Sequence, residues 1–111
     1  MTENEKLLRA IGLCAKARAL ICGVPLVCEA LKSKGKTVYL VLCANDNAPN
    51  SAKRLHDRCA YYNVPMKIID VDGDALAHAI GKSSRVAAVA VTDKNLCHLV
   101  KTACATCDET T

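Results

Sequence analysis

At 111 residues, 51% of them apolar and 23% charged, the chain can bury one hydrophobic core and is too apolar for an unstructured tail. No apolar run approaches the ~20 residues of a membrane-crossing helix, and the polar start, residues 1–6, does not read as an export signal, so a cytoplasmic protein is expected. A net charge of +4 admits a polyanionic partner such as nucleic acid without requiring one.

Thr2 and Glu5 have the spacing of a capping box. Leu7, Leu8, Ile11, Cys14 and Ala15 follow as a helical stripe, so a first helix is expected over 3–17, with Lys16 and Arg18 suiting its C-terminal end. Leu20, Ile21 and Cys22 form a short β-prone run and predict a first strand. A second helix is expected over 23–35. Pro25 fits its first turn, where the missing N–H would have no intrahelical partner, and Gly35 fits the left-handed exit. Leu26, Val27, Ala30 and Leu31 read as its apolar stripe, with Glu29, Lys32 and Ser33 facing water. Gly23 permits a close approach of backbone and turns amide donors outward at a positive helix end, a phosphate-site signal that every helix start shares.

The apolar run within residues 37–46 (TVYLVLCAND) does not alternate with polar residues. A strand with one wet face would alternate, so this run predicts a central strand covered on both faces. It ends in the turn formers of 44–49, and in open α/β sheets the loops beyond strand ends carry function. A third helix is expected from Pro49 or Asn50 to Tyr62, apolar at Ala52, Leu55 and Cys59, and basic at Lys53, Arg54 and Arg58. Asn63 to Pro65 breaks it. A third strand is predicted over 66–71, and a short helix over 75–80, capped through Asp72 or Asp74 and ended by Gly81. After a loop at 82–85, residues 86–91 (VAAVAV) predict a fourth strand, again buried on both sides. Thr92 or Asp93 caps a last helix with Leu96, Val100, Ala103 and Cys107 on one face. The alternation of helices and strands predicts an α/β, three-layer α/β/α sandwich. With no internal repeat or linker, one domain is expected over 1–107, followed by a short tail at 108–111.

Eight cysteines raise the question of metal or disulfides. Cys14, Cys28, Cys22 and Cys43 fall where a small apolar residue would serve, and buried thiols behave as one. Cys104 and Cys107 are a local pair, but Cys97 lies about 10 Å of helix rise from Cys104 and no second pair matches them. No metal or other cofactor is predicted. His56, His78 and His98 share no spacing that suggests a joint site, and neither a P-loop nor a dinucleotide fingerprint is present. A turn and cap explain Asp72 and Asp74, so no catalytic residue is assigned and no enzyme is expected. Three tyrosines with no Phe or Trp leave few stacking platforms. RNA would have to be held by shape, phosphate contacts and backbone donors. The cations available cluster at Lys32 to Lys36, at Lys53 to Arg58, and at Lys82 and Arg85.

Several segments, in order and in register, carry a resemblance: residues 13–18 (LCAKAR) leading to Gly23, 41–46 (VLCAND), Lys53 with Leu55 and Cys59, 62–65 (YNVP), 79–82 (AIGK), Arg85 with 86–87, and 90–93 (AVTD). Over about residues 4–103 the chain resembles the ribosomal-protein and kink-turn RNA-binding family that includes the archaeal L-seven-Ae and L-thirty-e proteins, in its small bacterial YlxQ-like branch. The resemblance implies an L-thirty-e-like sandwich with a mixed four-stranded sheet. It also implies binding of structured RNA, a kink-turn or ribosomal RNA, in ribosome- or translation-associated work, with translation proteins as further partners. The family's reading surface maps onto Gly23, Val24, Pro25 and Leu26 with Lys32, onto Asn45 and Asp46, and onto Lys82, Ser83, Ser84 and Arg85. Kink-turn readers carry Gly-x-Asn-Glu and a lysine one turn on. Here Gly23 is kept, while Pro25, Leu26 and Glu29 replace an amide, a carboxylate and a cation. A member of the fold that binds protein instead is the alternative.

Overall fold

The computed structural model describes residues 3–32, 38–46 and 48–105. In chain order the elements are α1 (Glu3–Lys16), β1 (Leu20–Cys22), α2 (Val24–Lys32), β2 (Leu40–Cys43), α3 (Pro49–Tyr61), β3 (Met66–Ile68), α4 (Gly73–Ala79), β4 (Ala88–Val91) and α5 (Lys94–Ala105). The four strands form one sheet in the order β1-β4-β2-β3. β2 and β3 are parallel, while β4 runs antiparallel to both β2 and β1, so the sheet is mixed.

The two unalternating apolar runs are the two interior strands, and every residue of β2 and of β4 is buried. Successive side chains of a strand point to opposite faces. Leu40, Leu42, Val89 and Val91 accordingly join a core with Leu7, Ile11 and Cys14 of α1, Leu76 of α4 and Val100 of α5. Val41, Cys43, Ala88 and Ala90 join a second core with Val27, Ala30 and Leu31 of α2 and Leu55 and Cys59 of α3. Each face needs its own helical layer, which is why neither run could alternate. Cys14, Cys43, Cys59 and Cys97 are buried among these apolar side chains. Burial pushes the Cys14 and Cys59 thiols up to about 11.

Three helices stop in the same way. In each, a residue with positive φ follows the last turn: Arg18 (59°) after α1, Asn63 (58°) after α3 and Gly81 (77°) after α4. In each, the next amide reaches back five residues: Ala19 to Cys14 O (2.9 Å), Val64 to Cys59 O (2.9 Å) and Lys82 to Ala77 O (2.9 Å). This Schellman pattern satisfies carbonyls at the helix end that would otherwise lack donors. Residues 63–65 were expected to break α3, and within them the break falls at Asn63. Asp72 caps α4 by accepting from the Ala75 amide (2.8 Å), and Asp93 caps α5 by accepting from Leu96 (3.0 Å).

Several expectations about the elements need correction. Leu26 is 59% exposed, so the stripe of α2 is Val27, Ala30 and Leu31 without it. β3 ends at Ile68 rather than at residue 71; Ile69 and Val71 turn into the core while the chain leaves the sheet. β4 begins at Ala88 rather than at residue 86, because the Val86 amide bonds Gly73 O (3.1 Å) at the head of α4. α4 begins at Gly73, directly after its cap, rather than at Ala75. The expected cap at Thr2, the exit at Gly35, and Cys107 lie outside the described residues.

Candidate nucleic-acid interface

Strand directions bring three distant segments to one end of the sheet. Cys22 pairs with Val89, and Cys43 pairs with both Ala88 and Ile68, so the ends of β1, β2 and β3 meet the start of β4. Residues 23–26, 45–46 and 82–85 therefore emerge together. Gly23 turns the chain from β1 into α2 with a φ of 96°, a conformation that costs a glycine little. Its amide donates to Ala88 O (2.8 Å) and its carbonyl accepts the first helical bond, from Val27 (2.9 Å). The Gly23 amide is thus tied to β4 and does not face outward as expected. Pro25 has no N–H, which leaves Val24 and Leu26 as first-turn donors without an intrahelical partner.

On the β2 side the charges close on one another. Arg85 Nη2 donates to Asp46 Oδ1 (2.8 Å) and to the Asp46 carbonyl (2.6 Å), and the Gly73 amide donates to the same Oδ1 (3.0 Å). The Arg85 hydrogen bond, with help from Gly73, holds the Asp46 carboxyl below its ordinary value, and Asp46 in turn raises Arg85. Gly73 seats the arginine: a Cβ there would stand 2.5 Å from Arg85 Cγ and 2.7 Å from Nε. Asn45 is engaged as well, its side-chain amide donating to Asp70 Oδ1 (3.1 Å) and its backbone amide to Val71 O (2.9 Å). This cluster clasps the β2 exit, the head of α4 and the approach to β4.

On the α2 side the charges stay open. Lys82, aimed by the left-handed Gly81, lines a shallow depression of about 470 Å³ with Cys22, Leu26, Glu29 and Ala30. Burial raises the Cys22 thiol, and the nearby Lys82 ammonium partly offsets the rise. Lys82 makes no ion pair among the described residues. Ser83 and Ser84 are exposed beside it.

The fold gathers ten of the eleven expected site residues at this edge. Lys32 is the exception: it ends α2, about 9 Å of helix rise from Leu26. Gly23, Asn45, Asp46 and Arg85 have their polar groups committed within the protein, whereas Val24, Pro25, Leu26, Lys82, Ser83 and Ser84 do not. Gly73 and Asp70 were missed: a turn signal marked Gly73, and Asp70 was expected inside the third strand. Their partners lie 27 and 25 residues away in sequence, beyond any local pattern.

The model of the ribosomal protein L7Ae/L30e/S12e/Gadd45 family matches residues 5–100. The RNA-binding protein YlxQ of Bacillus subtilis is 38% identical over 84 residues, which cover 76% of this chain and 80% of that protein. The RNA-binding protein YlxQ of Enterococcus faecium is 31% identical over 85 residues, 76% of this chain and 79% of that protein. Among solved structures, a Bacillus halodurans protein of unknown function superposes with a TM-score of 0.73 at 34% identity, over 86% of this chain and 97% of its own. A 15.5 kD RNA-binding protein of Giardia lamblia superposes with a TM-score of 0.72 at 23% identity, over 91% and 83%, a likeness of fold.

Proposed function

The chain belongs to the ribosomal protein L7Ae/L30e/S12e/Gadd45 family, and on that premise we propose that it binds structured RNA of kink-turn type through the start of α2 and the loops beside it, as one ribosome- or translation-associated cytoplasmic domain. The observation that carries the reading is the convergence of 23–26, 45–46 and 82–85 at one edge, with Lys82, which has no ion pair among the described residues, beside α2. Lys82 supplies a phosphate contact, and the Val24 and Leu26 amides supply donors at a positive helix end. The Asp46–Arg85 clasp supplies shape. With no amide or carboxylate side chain at positions 25 and 26, little base reading is left, and phosphate contacts dominate affinity.

Such binding releases counterions, so affinity falls steeply as salt rises. Fluorescence anisotropy with a kink-turn RNA, ribosomal RNA fragments and duplex DNA, each at low and physiological salt, tests the proposal. The expected order places a structured RNA above duplex DNA, with a negative slope of log affinity against log salt. Absence of RNA binding at low salt, or affinity indifferent to salt, overturns it.

A second reading draws on one observation. Leu26 is 59% exposed next to exposed Pro25 and acidic Glu29, a surface that suits a protein ligand better than phosphate. Failure of every RNA in the panel would favour that alternative.

A further inference from the structure

We propose that the groove between α1 and α4 seats a helical segment of a partner protein, apolar at its centre and flanked by acidic residues. The proposal does not rest on the RNA reading. Lys6, Arg9, Leu13 and Lys16 follow at intervals of three and four residues, one stripe on the outer face of α1, and all four are exposed, Leu13 by 50%. Against the stripe lies a groove of about 860 Å³, whose walls include Leu8, Leu13, Ala79 and Ile80. Its floor is narrow: a Cβ on Gly12 would stand 3.1 Å from the Ala79 carbonyl oxygen, so α1 approaches α4 closely there.

Charge complementarity identifies the occupant. Among the described residues that line the groove there is no carboxylate; its charged side chains are Arg9 and Lys16, with His78 between the helices. Lys16 follows Arg9 by seven positions, about 10 Å along the axis of α1. A ligand helix that carries acidic residues two turns apart matches that distance, and an apolar residue midway between them reaches Leu13. The apolar contact supplies affinity, while the rim charges fix orientation and speed encounter. Nucleic acid fits less well, because no Phe, Tyr or Trp lines the groove for a base to stack on, only the His78 imidazole, and the aliphatic walls leave phosphate contacts to Arg9 and Lys16 alone. The groove ends at Gly81, next to Lys82, so a segment seated in it would border the convergent edge.

The test is selection of a displayed library of helical peptides on the intact chain, counter-selected on the Leu13→Gln variant, in which a good helix former replaces an exposed residue. The expected winners pair apolar anchors with Asp or Glu and bind one to one. They lose at least tenfold in affinity on Leu13→Gln and on Arg9→Glu with Lys16→Glu, and they shift backbone amides of α1 and α4 in the wild-type chain. Circular dichroism melting confirms that the variants fold, and the amide shifts locate the site without any variant. No enrichment over the counter-selection, winners without acidic residues, or amide shifts elsewhere overturns the proposal. So does a tenfold loss of affinity for a kink-turn RNA on the double charge reversal without one on Leu13→Gln, which would assign the face to RNA.

Discussion

On the β2 side of the convergent edge, Arg85 and Asp46 meet at 2.8 Å with Gly73 beneath them. On the α2 side, Lys82 stands over Leu26 and Glu29 without an ion pair among the described residues. Both cations belong to the same short loop, and from sequence they counted alike toward an RNA surface. They differ because Asp46 reaches one of them and not the other. A loop cation adds to long-range attraction of phosphate only when the fold leaves its charge uncompensated. Arg85 therefore shapes the edge, and Lys82 charges it.

The largest effect is expected from converting the open side into a reading surface. Pro25→Asn, Leu26→Glu and Glu29→Lys together should raise kink-turn affinity about a hundredfold, since charge-assisted hydrogen bonds contribute roughly 1.5–3 kcal/mol each and ~1.4 kcal/mol is tenfold. The exposure of Leu26 removes any burial cost for a glutamate there, and a carboxylate suits a helix N-terminus. Filter binding with a kink-turn RNA checks the gain. A folded triple variant no better than wild type would mean that α2 is wrongly aligned on the family's reading surface.

Next in size is Gly73→Ala, which drives a methyl into Arg85 and should open the clasp. Because the displaced group is a flexible, half-exposed side chain, the effect is read as a modestly lower midpoint in urea. An unchanged midpoint, with the Arg85 side-chain resonances unmoved, would show that the arginine needs no glycine seat.

Lys82→Glu should lower RNA affinity about tenfold and flatten the slope of log affinity against log salt by roughly 0.7–0.9, the loss of one phosphate contact. Arg85→Gln should lower affinity while leaving that slope unchanged, because its charge is already balanced by Asp46. Equal loss of slope in both variants would erase the distinction between the two sides.

The smallest effect concerns acid. The Asp46 carboxyl lies below its ordinary value of 3.8, so the clasp contributes stability that is fully present above that value and is lost as pH falls through the lowered one. NMR of the Arg85 guanidinium should stay constant from pH 8 to about pH 5 and change only in acid below 3.8. A change near neutrality would point to a different group.

Much of the fold was legible because burial leaves a local trace. Residues 40–43 and 88–91 could not alternate if both faces were covered, and Asp72 and Asp93 announced the helices that they cap. Leu26 misled, since helical spacing alone does not say where an apolar stripe ends: Val24 and Val27 face the core while Leu26 lies 59% exposed. Arg18 was legible only as a cation near the C-terminal end of α1: a left-handed arginine is uncommon, and the bond from Ala19 to Cys14 O is what marks it as the helix stop. The candidate surface was legible as three segments through a resemblance, but not as a geometry.

The sequence by itself determined the order of elements and the two-sided burial of the interior strands, because each rests on spacing among near neighbours, and it carried the family through a resemblance spread over about residues 4–103. Tertiary structure alone decided that β4 lies between β1 and β2 and so draws three loops to one edge. It alone decided that Arg85 answers Asp46 from 39 residues away while Lys82 answers nothing described, and that α1 and α4 frame a cationic groove. The physical reason is range: hydrophobic periodicity is written within a turn or a strand, whereas charge compensation depends on which distant side chains the packed sheet brings within ~4 Å.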